Sequence, residues 1–247
     1  MTHKKAINNI DLTIIMPCYN EISTINLAVI EVLDSLNGRG EKIELLIIDN
    51  NSTDGTKEFL KELDLPFVKV ILNEENIGKG GSVQKGYSLS SGKYIIIFDA
   101  DLEYKAINIW DLFDEMLNSN SSLLLGSRTK GYVTNRKLKY YHYYLGVKFL
   151  TFLINILYGS RITDSATCFK LIKGDLAREI NFFSNGFALD FEIICKVLRL
   201  GHSVDEVPVN YKQRSRKEGK KIKAIDGLIS LKVIFSERFK SKKTFVK

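Results

Sequence analysis

The sequence has few of the cysteine and histidine residues that stabilise small domains through disulfides or structural metal ions. Only three cysteines, Cys18, Cys168 and Cys195, occur among 247 residues, and no CxxC or Cys/His ligand spacing accompanies them. An odd number without such spacing indicates neither a disulfide framework nor a zinc site, and it favours a reducing, cytosolic setting. The three histidines are too scattered along the chain for a metal site or a catalytic triad.

Long uncharged apolar runs are also missing. The N-terminal MTHKKAINN segment has no apolar stretch, so we expect no secretory signal. No run approaches the roughly eighteen uncharged residues that a membrane-spanning helix needs, so no span is predicted. Prolines number three, and no tandem repeat or low-complexity tract interrupts the chain. We therefore expect one domain over residues 1–247.

What the first half does contain is a regular alternation of apolar runs and amphipathic helical patterns. The runs are DLTIIMP, KIELLIID, FVKVIL and KYIIIF, and helices are predicted at about 21–36, 54–63 and 81–90. Continuous Ile/Leu/Val strands of this kind are typical of a mostly parallel sheet with helices on both faces. The predicted fold class is therefore α/β, and right-handed crossovers place the strand ends along one edge, where such sheets bind ligands.

Polar, acidic and glycine-rich segments follow all four predicted strands. They are PCYNE at 17–21, DNNSTDG at 49–55, NEENIGKGG at 73–81 and DAD at 99–101. Each segment alone is explained equally well as a helix cap or a turn. Because the four segments fall at the same edge of one sheet, together they predict a binding site.

The DAD segment indicates a divalent cation. Residues two apart in extended backbone face the same side, so we expect Asp99 and Asp101 to face one site while Ala100 turns away. Neighbouring carboxylates repel, and a hard cation such as Mg²⁺ or Mn²⁺ relieves that repulsion. Such a cation keeps positions open for phosphate oxygens, so we infer a metal that binds a pyrophosphate leaving group.

These motifs resemble those of family 2 glycosyltransferases with the GT-A fold. The resemblance lies in PCYNE, D-x-x-S-T-D-G-T, N-x-G-K-G and DAD, and it extends from about Leu12 to Phe239. Later segments, among them GSR at 126–128, TDSATCFK at 163–170, EVPVNY at 206–211 and EGKKI at 218–222, resemble the dolichyl-phosphate mannose or glucose synthase-like branch. The resemblance implies a metal-dependent, inverting transfer of a hexose from a UDP- or GDP-sugar to a polyprenyl phosphate.

The resemblance also implies roles for individual residues. Asp99 and Asp101 match the metal-binding motif, and Asn50-Asn51 replaces the commoner Asp-Gly of the base-binding turn. The implied nucleotide-binding residues are Pro17, Tyr19, Glu21, Asp49, Lys79 and Asp99. The implied catalytic residues are Asp99, Asp101, Asp164, Arg128 and Arg214, and the implied acceptor-phosphate residues are Arg216, Lys220 and Lys221. Either Arg214 or Arg216 fits the position that faces the phosphates.

The chemistry of the acceptor stays open at the level of sequence. Negative charge builds on the departing nucleoside diphosphate, and a metal, Arg128 and the basic 214–221 loop would stabilise it. A lipid monophosphate is already largely ionised near neutral pH and needs no strong base. A saccharide hydroxyl would need a carboxylate base, for which Asp164, Asp190 and Glu192 are the candidates. The alternative for Asp190 and Glu192 is that they are ordinary exposed acids on an amphipathic helix.

Positive charge is concentrated at the C-terminal end. Residues 212–247 hold thirteen Lys/Arg against three Asp/Glu, a local net charge of 13 − 3 = +10, compared with +7 for the whole chain. Such a surface suits nucleic acid, anionic lipid or phosphorylated substrates. The segments 137–160 and 224–240 are apolar and carry basic residues, which predicts interfacial or packing helices. We expect peripheral membrane contact from the cytosolic side, with a homodimer or a membrane-protein partner as the alternative occupant of these helices.

Two other functions are compatible with part of the sequence. A non-catalytic module could bind RNA or DNA through the basic tail, but the tail lacks the interleaved aromatic residues of a stacking surface, and we expect no nucleic-acid partner. A nucleotidyltransferase would also need metal-held phosphates. The ordered set of motifs favours the glycosyltransferase over both.

Overall fold

The computed structural model describes residues 10–134, 141–214 and 221–247. The strands are β1 (Leu12–Cys18), β2 (Ile43–Asp49), β3 (Val68–Leu72), β4 (Tyr94–Ile97), β5 (Leu123–Ser127), β6 (Val133–Thr134), β7 (Lys170–Lys173), β8 (Val204–Pro208) and β9 (Tyr211–Lys212). The helices are α1 (Ile25–Ser35), α2 (Thr56–Glu62), α3 (Gly78–Leu89), α4 (Asn108–Asn118), α5 (Tyr141–Tyr158), α6 (Gly174–Glu179), α7 (Leu189–Arg199) and α8 (Ala224–Phe239).

Seven of these strands form one sheet in the order β3-β2-β1-β4-β7-β5-β8. Neighbouring strands are parallel except at β7, which runs antiparallel to both β4 and β5. The predicted α/β fold with a mostly parallel sheet is therefore confirmed, and the antiparallel β7 is an addition that the sequence did not reveal. The pairing of β1 with β2 runs to Cys18 opposite Asp49, so the loops that follow these strands begin side by side.

The sheet lies between two buried apolar layers, which explains the continuous apolar runs. In β1, Ile14 and Met16 pack with α1, α2 and α4 on one face, whereas Ile15 packs with helices α3 and α5 to α8 on the other. A strand covered on both faces has no solvent-facing positions and therefore does not alternate with polar residues. Because β1, β2 and β4 are held in place by this burial, the loops at their ends are also held in place.

The chain departs from the predicted boundaries around the DAD segment. Strand β4 ends at Ile97, and Ala100 and Asp101 lie in a turn rather than in extended backbone. Leu102 follows with φ of 59°, a left-handed conformation that reverses the chain. The expectation that an extended strand aligns the two carboxylates is therefore wrong in its geometry, because the turn begins between them.

The helices at the C-terminal side match the apolar segments of the sequence. Helix α8 covers Ala224–Phe239, and α5 covers Tyr141–Tyr158 of the predicted 137–160 segment. The two helices pack together, since the Tyr158 hydroxyl donates to the carbonyl of Ile234 at 2.6 Å and Arg238 donates to the carbonyl of Leu157 at 2.7 Å. Among the described residues, no helix combines the length and the apolar character needed to cross a bilayer.

Candidate active site

Hydrogen bonds from backbone N–H groups to side-chain oxygens join the loops after β1 and β2. The N–H of Asn20 donates to Ser52 Oγ at 2.8 Å, and the N–H of Thr53 donates to Asn20 Oδ1 at 2.8 Å. Pro17 lies buried in β1 opposite Ile48, so it supports this loop from below. The segments that the sequence placed at neighbouring strand ends are therefore joined in one surface.

Asp49 and Asn50 close the turn after β2 and connect it to the next loop. Asp49 is fully buried, and its carboxylate accepts the N–H of Ser52 at 3.0 Å. The Asn50 side chain accepts the N–H of Ile77 at 2.9 Å and donates to Asn76 Oδ1 at 2.7 Å. A carboxylate at position 50 could not donate to Asn76, so the Asn in place of the commoner Asp joins the second and third loops.

Lys79 and Asp99 form the first ion pair of the site. Lys79 Nζ lies 2.6 Å from Asp99 Oδ2, and both side chains are largely buried. Burial alone would raise the pKa of Asp99, but the Lys79 ammonium outweighs it and the pKa is lowered. Lys79 stands in the first turn of α3, and the ring of Phe187 is 5.8 Å from its ammonium. The glycine-lysine loop and the DAD segment therefore meet, as the sequence predicted.

Arg214 forms a second cluster that joins two strand ends. Its guanidinium donates to Glu21 at 2.9 Å and to Asp101 at 3.1 Å. Lys221 Nζ also lies 2.6 Å from Glu21, and it is 5.6 Å from the ring of Tyr19. Of the two arginines that fitted the phosphate-facing position, Arg214 reaches the DAD turn, whereas Arg216 and Lys220 lie outside the described residues.

Glu103 and Tyr211 complete the cluster, and sequence reasoning did not include either in the site. Glu103 accepts the backbone N–H of Arg214 at 2.7 Å and the Tyr211 hydroxyl at 2.6 Å. Burial, together with the charges of Asp99 and Glu103, raises the pKa of Asp101 to about 7. The position of Glu103, two residues after Asp101, could have suggested a place in the site. Its contact with Arg214, 111 positions away, could not be predicted from local sequence.

Arg128 and Asp164 form a third cluster next to the second. Arg128 donates from Nε and Nη2 to the two oxygens of Asp164, each at 2.7 Å, and its backbone N–H donates at 3.0 Å. The guanidinium also lies 5.2 Å from the ring of Tyr211. Burial would raise the pKa of Asp164, yet the Arg128 charge holds it below its ordinary value. Tyr211 therefore connects this pair to Glu103 and Arg214.

Asp190 and Glu192, both in the first turn of α7, are not ordinary exposed acids, and that interpretation is wrong. Asp190 pairs with the fully buried Lys170 at 2.9 Å. Glu192 is 1% exposed and pairs with Lys196 at 2.5 Å. Each candidate base is thus matched by a basic side chain.

Asp99 and Asp101 have the chemistry of a divalent-metal site that borrows ligands from its substrate. Among the described residues, no group of three or more His, Cys, Asp and Glu side chains is placed to hold a metal ion. Mg²⁺ is commonly held by one or two carboxylates together with substrate phosphates and water, so two carboxylates suffice. Burial and, after it, the neighbouring charges of Asp99 and Glu103 raise the pKa of Asp101, and a bound cation would offset the charge part of that effect. The residues present therefore fit Mg²⁺ or Mn²⁺.

The fold of the chain is similar to that of solved structures. The chain superposes on the glucosyl-3-phosphoglycerate synthase of Mycobacterium tuberculosis in complex with Mn²⁺, UDP and phosphoglyceric acid, with a TM-score of 0.67 and 17% identity over 93% of this chain and 78% of that one. The same enzyme with Mg²⁺ and UDP gives a TM-score of 0.67 and 17% identity over 92% and 79%. At this identity the likeness concerns the fold, which is GT-A-like.

Comparison of the sequence with protein-family models identifies the family of the chain. The model of the family described as glycosyl transferase family 2 matches residues 13–181, more than half of the chain. The chain therefore belongs to glycosyl transferase family 2, and it is a glycosyltransferase. This membership favours the enzyme over the nucleic-acid module and the nucleotidyltransferase.

Two relatives of the chain share the name dolichyl-phosphate beta-glucosyltransferase. The chain is 29% identical over 234 residues to the dolichyl-phosphate beta-glucosyltransferase of Dictyostelium discoideum, covering 85% of this chain and 68% of that protein. It is 26% identical over 221 residues to the dolichyl-phosphate beta-glucosyltransferase of Saccharomyces cerevisiae, covering 81% of this chain and 66% of that protein. The chain thus spans about two thirds of the length of each. Both belong to the polyprenyl-phosphate branch that the motifs resembled.

Proposed function

We propose that the protein transfers a hexose from a nucleotide-diphosphate sugar to a polyprenyl phosphate at a membrane surface, with inversion and with a divalent metal. The observation that carries the choice of acceptor is the pairing of all three candidate bases with cations. Asp164 is held by Arg128, Asp190 by Lys170 and Glu192 by Lys196. A carboxylate that is paired in this way is a poor acceptor for a proton from a saccharide hydroxyl.

A phosphate acceptor removes the need for such a base. A phosphate monoester with a second pKa of about 6 is already largely dianionic near neutral pH and attacks through its own oxygen. It needs cations to position it, and Arg128, Arg214 and Lys221 supply them in adjacent clusters. The names of the two relatives support the same acceptor class and make glucose the first sugar to test. UDP-glucose is the first donor to test, because a similarly folded synthase has been solved with it.

The nucleotide would lie across the loops after β1, β2 and β3. Tyr19 and Glu21 would face it from the first loop and Lys79 from the start of α3, whereas the fully buried Asp49 would act by holding the second loop through the N–H of Ser52. Asp99 and Asp101 would hold the metal, which supplies positive charge to the departing diphosphate. Arg214 is bound to Asp101 and stands beside this position, so it would stabilise the same leaving charge. Asp164 acts through Arg128 by fixing the plane of its guanidinium.

The membrane surface is proposed from two helices that expose apolar residues next to the site. On α5, the residues Leu145, Phe149, Phe152 and Ile156 recur at helical spacing, and each is at least half exposed. On α8, the exposed apolar residues are Ile225, Leu228, Ile229, Phe235 and Phe239. Residues 221–247 hold eight Lys/Arg against two Asp/Glu, a net charge of 8 − 2 = +6. An apolar surface rimmed by basic residues suits anionic lipid.

Each of the two helices has a lysine on it or close before it that lies next to one of the cationic clusters of the site. Lys148 on α5 donates to Thr129 Oγ1 at 3.1 Å and to the carbonyl of Thr163 at 3.3 Å, beside the Arg128–Asp164 pair. Lys221 precedes α8 by three residues and pairs with Glu21. A lipid whose tail lies along these helices would therefore present its phosphate to the site. The three cysteines, all among the described residues, are free thiols, which supports the cytosolic face.

A donor and acceptor screen tests the proposal. Purified protein is first heated with UDP-, GDP- and dTDP-sugars, with and without Mn²⁺, because a ligand of the native state raises the melting temperature. We expect a shift with one base, dependent on the metal and lost in Asp101→Asn. The protein is then incubated with the radiolabelled donor and either polyprenyl phosphate or an oligosaccharide. Label in the organic extract supports the lipid acceptor, whereas label only on the oligosaccharide would establish the hydroxyl acceptor instead.

A further inference from the structure

A buried carboxylate far from solvent holds the loop that packs against Lys79. Glu192 Oε1 accepts the N–H of Phe183 at 3.0 Å, and Oε2 accepts the N–H of Ser184 at 2.8 Å. Lys196, one turn further along α7, pairs with Glu192 at 2.5 Å and also donates to the carbonyl of Asn181. Both side chains are at most 1% exposed. Burying such a pair is costly unless every polar atom has a partner, so its presence requires a reason.

The first turn of α3 packs closely against the other side of the same loop, residues 182–187. A Cβ added to Gly78 would lie 2.2 Å from the carbonyl oxygen of Asn185, and one added to Gly80 would lie 2.2 Å from that of Ser184. The N–H of Gly81 donates to the carbonyl of Asn185 at 3.2 Å. Only glycine allows the first turn of α3 to approach the loop so closely.

Lys79 is the residue between those two glycines. Its ammonium extends to Asp99, and the loop's own Phe187 lies beside it. The backbone that carries Lys79 therefore rests on carbonyl groups whose neighbouring N–H groups are fixed by Glu192. Displacement of the loop would move the first turn of α3 and with it the ammonium that pairs with Asp99.

We propose that Glu192 and Lys196 are positioning residues for the active site, acting on Lys79 through residues 182–187 and the glycine-rich first turn of α3. Because both side chains are buried, the pair would contact neither donor nor acceptor directly. Lys196 also lies 3.8 Å from Glu237 of α8, so the helix that bears the exposed apolar residues is seated on the same buried network. The effect on nucleotide binding rests on the proposed function, whereas the effect on the α3 turn does not.

The test compares Glu192→Gln with Glu44→Gln. Glu44 is also buried, accepts the N–H of Ser91 and the Thr13 hydroxyl, and lies at the start of β2, away from the loops that follow the strands. A glutamine at 192 presents an NH₂ group to donors and cannot satisfy Phe183, Ser184 and Lys196 together. We expect amide hydrogen exchange in a peptide covering residues 78–84 to become about tenfold faster in Glu192→Gln and to stay unchanged in Glu44→Gln.

Binding supplies the second readout. UDP and GDP are each titrated with Mn²⁺, and the nucleotide that binds the unmodified protein is expected to bind Glu192→Gln about tenfold more weakly and Glu44→Gln equally well. If Glu192→Gln fails to fold, Glu192→Asp, which keeps the charge for Lys196 but is one methylene shorter, should show both effects to a smaller degree.

The outcomes separate the two proposals. Unchanged exchange at 78–84, or faster exchange confined to 182–187, would overturn the positioning role whatever the ligand. Faster exchange with unchanged nucleotide affinity would also overturn it, since the site would then tolerate the displaced turn. If neither UDP nor GDP binds the unmodified protein and the thermal-shift screen finds no binding of a dTDP-sugar, the proposed function fails, and the exchange data alone decide whether Glu192 holds the α3 turn.

Discussion

The Arg214 guanidinium lies 2.9 Å from the carboxylate of Glu21, although 193 positions separate the two residues in the chain. Through its other nitrogen, Arg214 also reaches Asp101 at 3.1 Å, so one side chain from the C-terminal region connects the loops after β1 and β4. A guanidinium is well suited to this position because its planar fork donates to two anions at once. The same fork would meet a departing diphosphate.

Replacing Arg214 by Gln should lower kcat/KM for the donor by about 100-fold, which corresponds to about 2.7 kcal/mol of lost leaving-group stabilisation. Arg214→Lys keeps the charge but reaches only one anion at a time, so an intermediate loss is expected. The measurement is steady-state kinetics with the donor selected by the thermal-shift screen. Lys105→Gln removes an exposed cation paired with Glu31 and should leave kcat/KM unchanged. Equal rates for Arg214→Gln and Lys105→Gln would remove Arg214 from the site.

The Arg128–Asp164 pair predicts a pH-dependent contribution to stability. The folded pKa of Asp164 lies below the ordinary value of 3.8, so the pair stabilises the protein above that pH and the contribution is lost as the pH falls through the folded pKa. Asp164→Asn leaves a buried guanidinium without its counter-charge and should lower the free energy of unfolding by about 3 kcal/mol at neutral pH.

Urea unfolding of the Asn variant and the unmodified protein gives the check. The difference should be the same at about pH 7 and about pH 5, and it should shrink at about pH 3, where the unmodified carboxylate is protonating in the unfolded chain. A difference that grows as the pH falls would show that Asp164 titrates with a raised pKa. In that case it would be free to accept a proton, and the saccharide acceptor would regain its base.

The sheet and the site edge were predictable because local patterns report burial directly. Strand β1 is covered on both faces, and a doubly covered strand carries apolar residues on both of them, as LTIIMP does except at Thr13, whose hydroxyl donates to Glu44. The antiparallel β7 was not predicted. Its four residues, KLIK, include Lys170, whose fully buried ammonium pairs with Asp190, so the strand reads as half polar in isolation. Periodicity cannot reveal a buried charge whose partner lies on another element.

Some contacts of the site were also predictable from the sequence, and others were not. Lys79, Asp99 and Asp101 follow predicted strands, so parallel topology alone placed them together. Glu103 and Tyr211 meet across the sheet edge through a chain reversal at Leu102, whose positive φ has no glycine or asparagine to announce it. The pairing of Asp190 and Glu192 with lysines was equally hidden, because an amphipathic pattern does not distinguish an exposed acid from a buried ion pair.

Two glycine substitutions should have opposite effects on stability. Gly80→Ala places a Cβ 2.2 Å from a backbone carbonyl, which cannot move without displacing the loop at 182–187, and we expect a loss of about 2 kcal/mol and weaker nucleotide binding. Gly227 lies in α8, and no atom outside its own stretch of helix backbone is within 4 Å of the place that an alanine methyl group would take, so Gly227→Ala should gain about 0.5–1 kcal/mol. Thermal unfolding of both variants decides the signs. A stable Gly80→Ala protein with full affinity would contradict the close approach of α3 to the loop.

The exposed apolar residues of α5 predict binding to anionic vesicles. Phe152→Ser removes a ring that is 57% exposed, so it should cost little stability but weaken binding to vesicles of phosphatidylglycerol and phosphatidylcholine several-fold. Leu27→Ser on α1 removes an apolar side chain that is 53% exposed on another helix and serves as the matched control. Co-sedimentation with vesicles measures both variants, and added salt should weaken binding of the unmodified protein because Lys232 and Lys240 contribute electrostatically. Equal losses for the two variants would mean that α5 has no special part in lipid binding, whereas a stable dimer that dissociates only in Phe152→Ser would assign the same residues to a second copy of the chain.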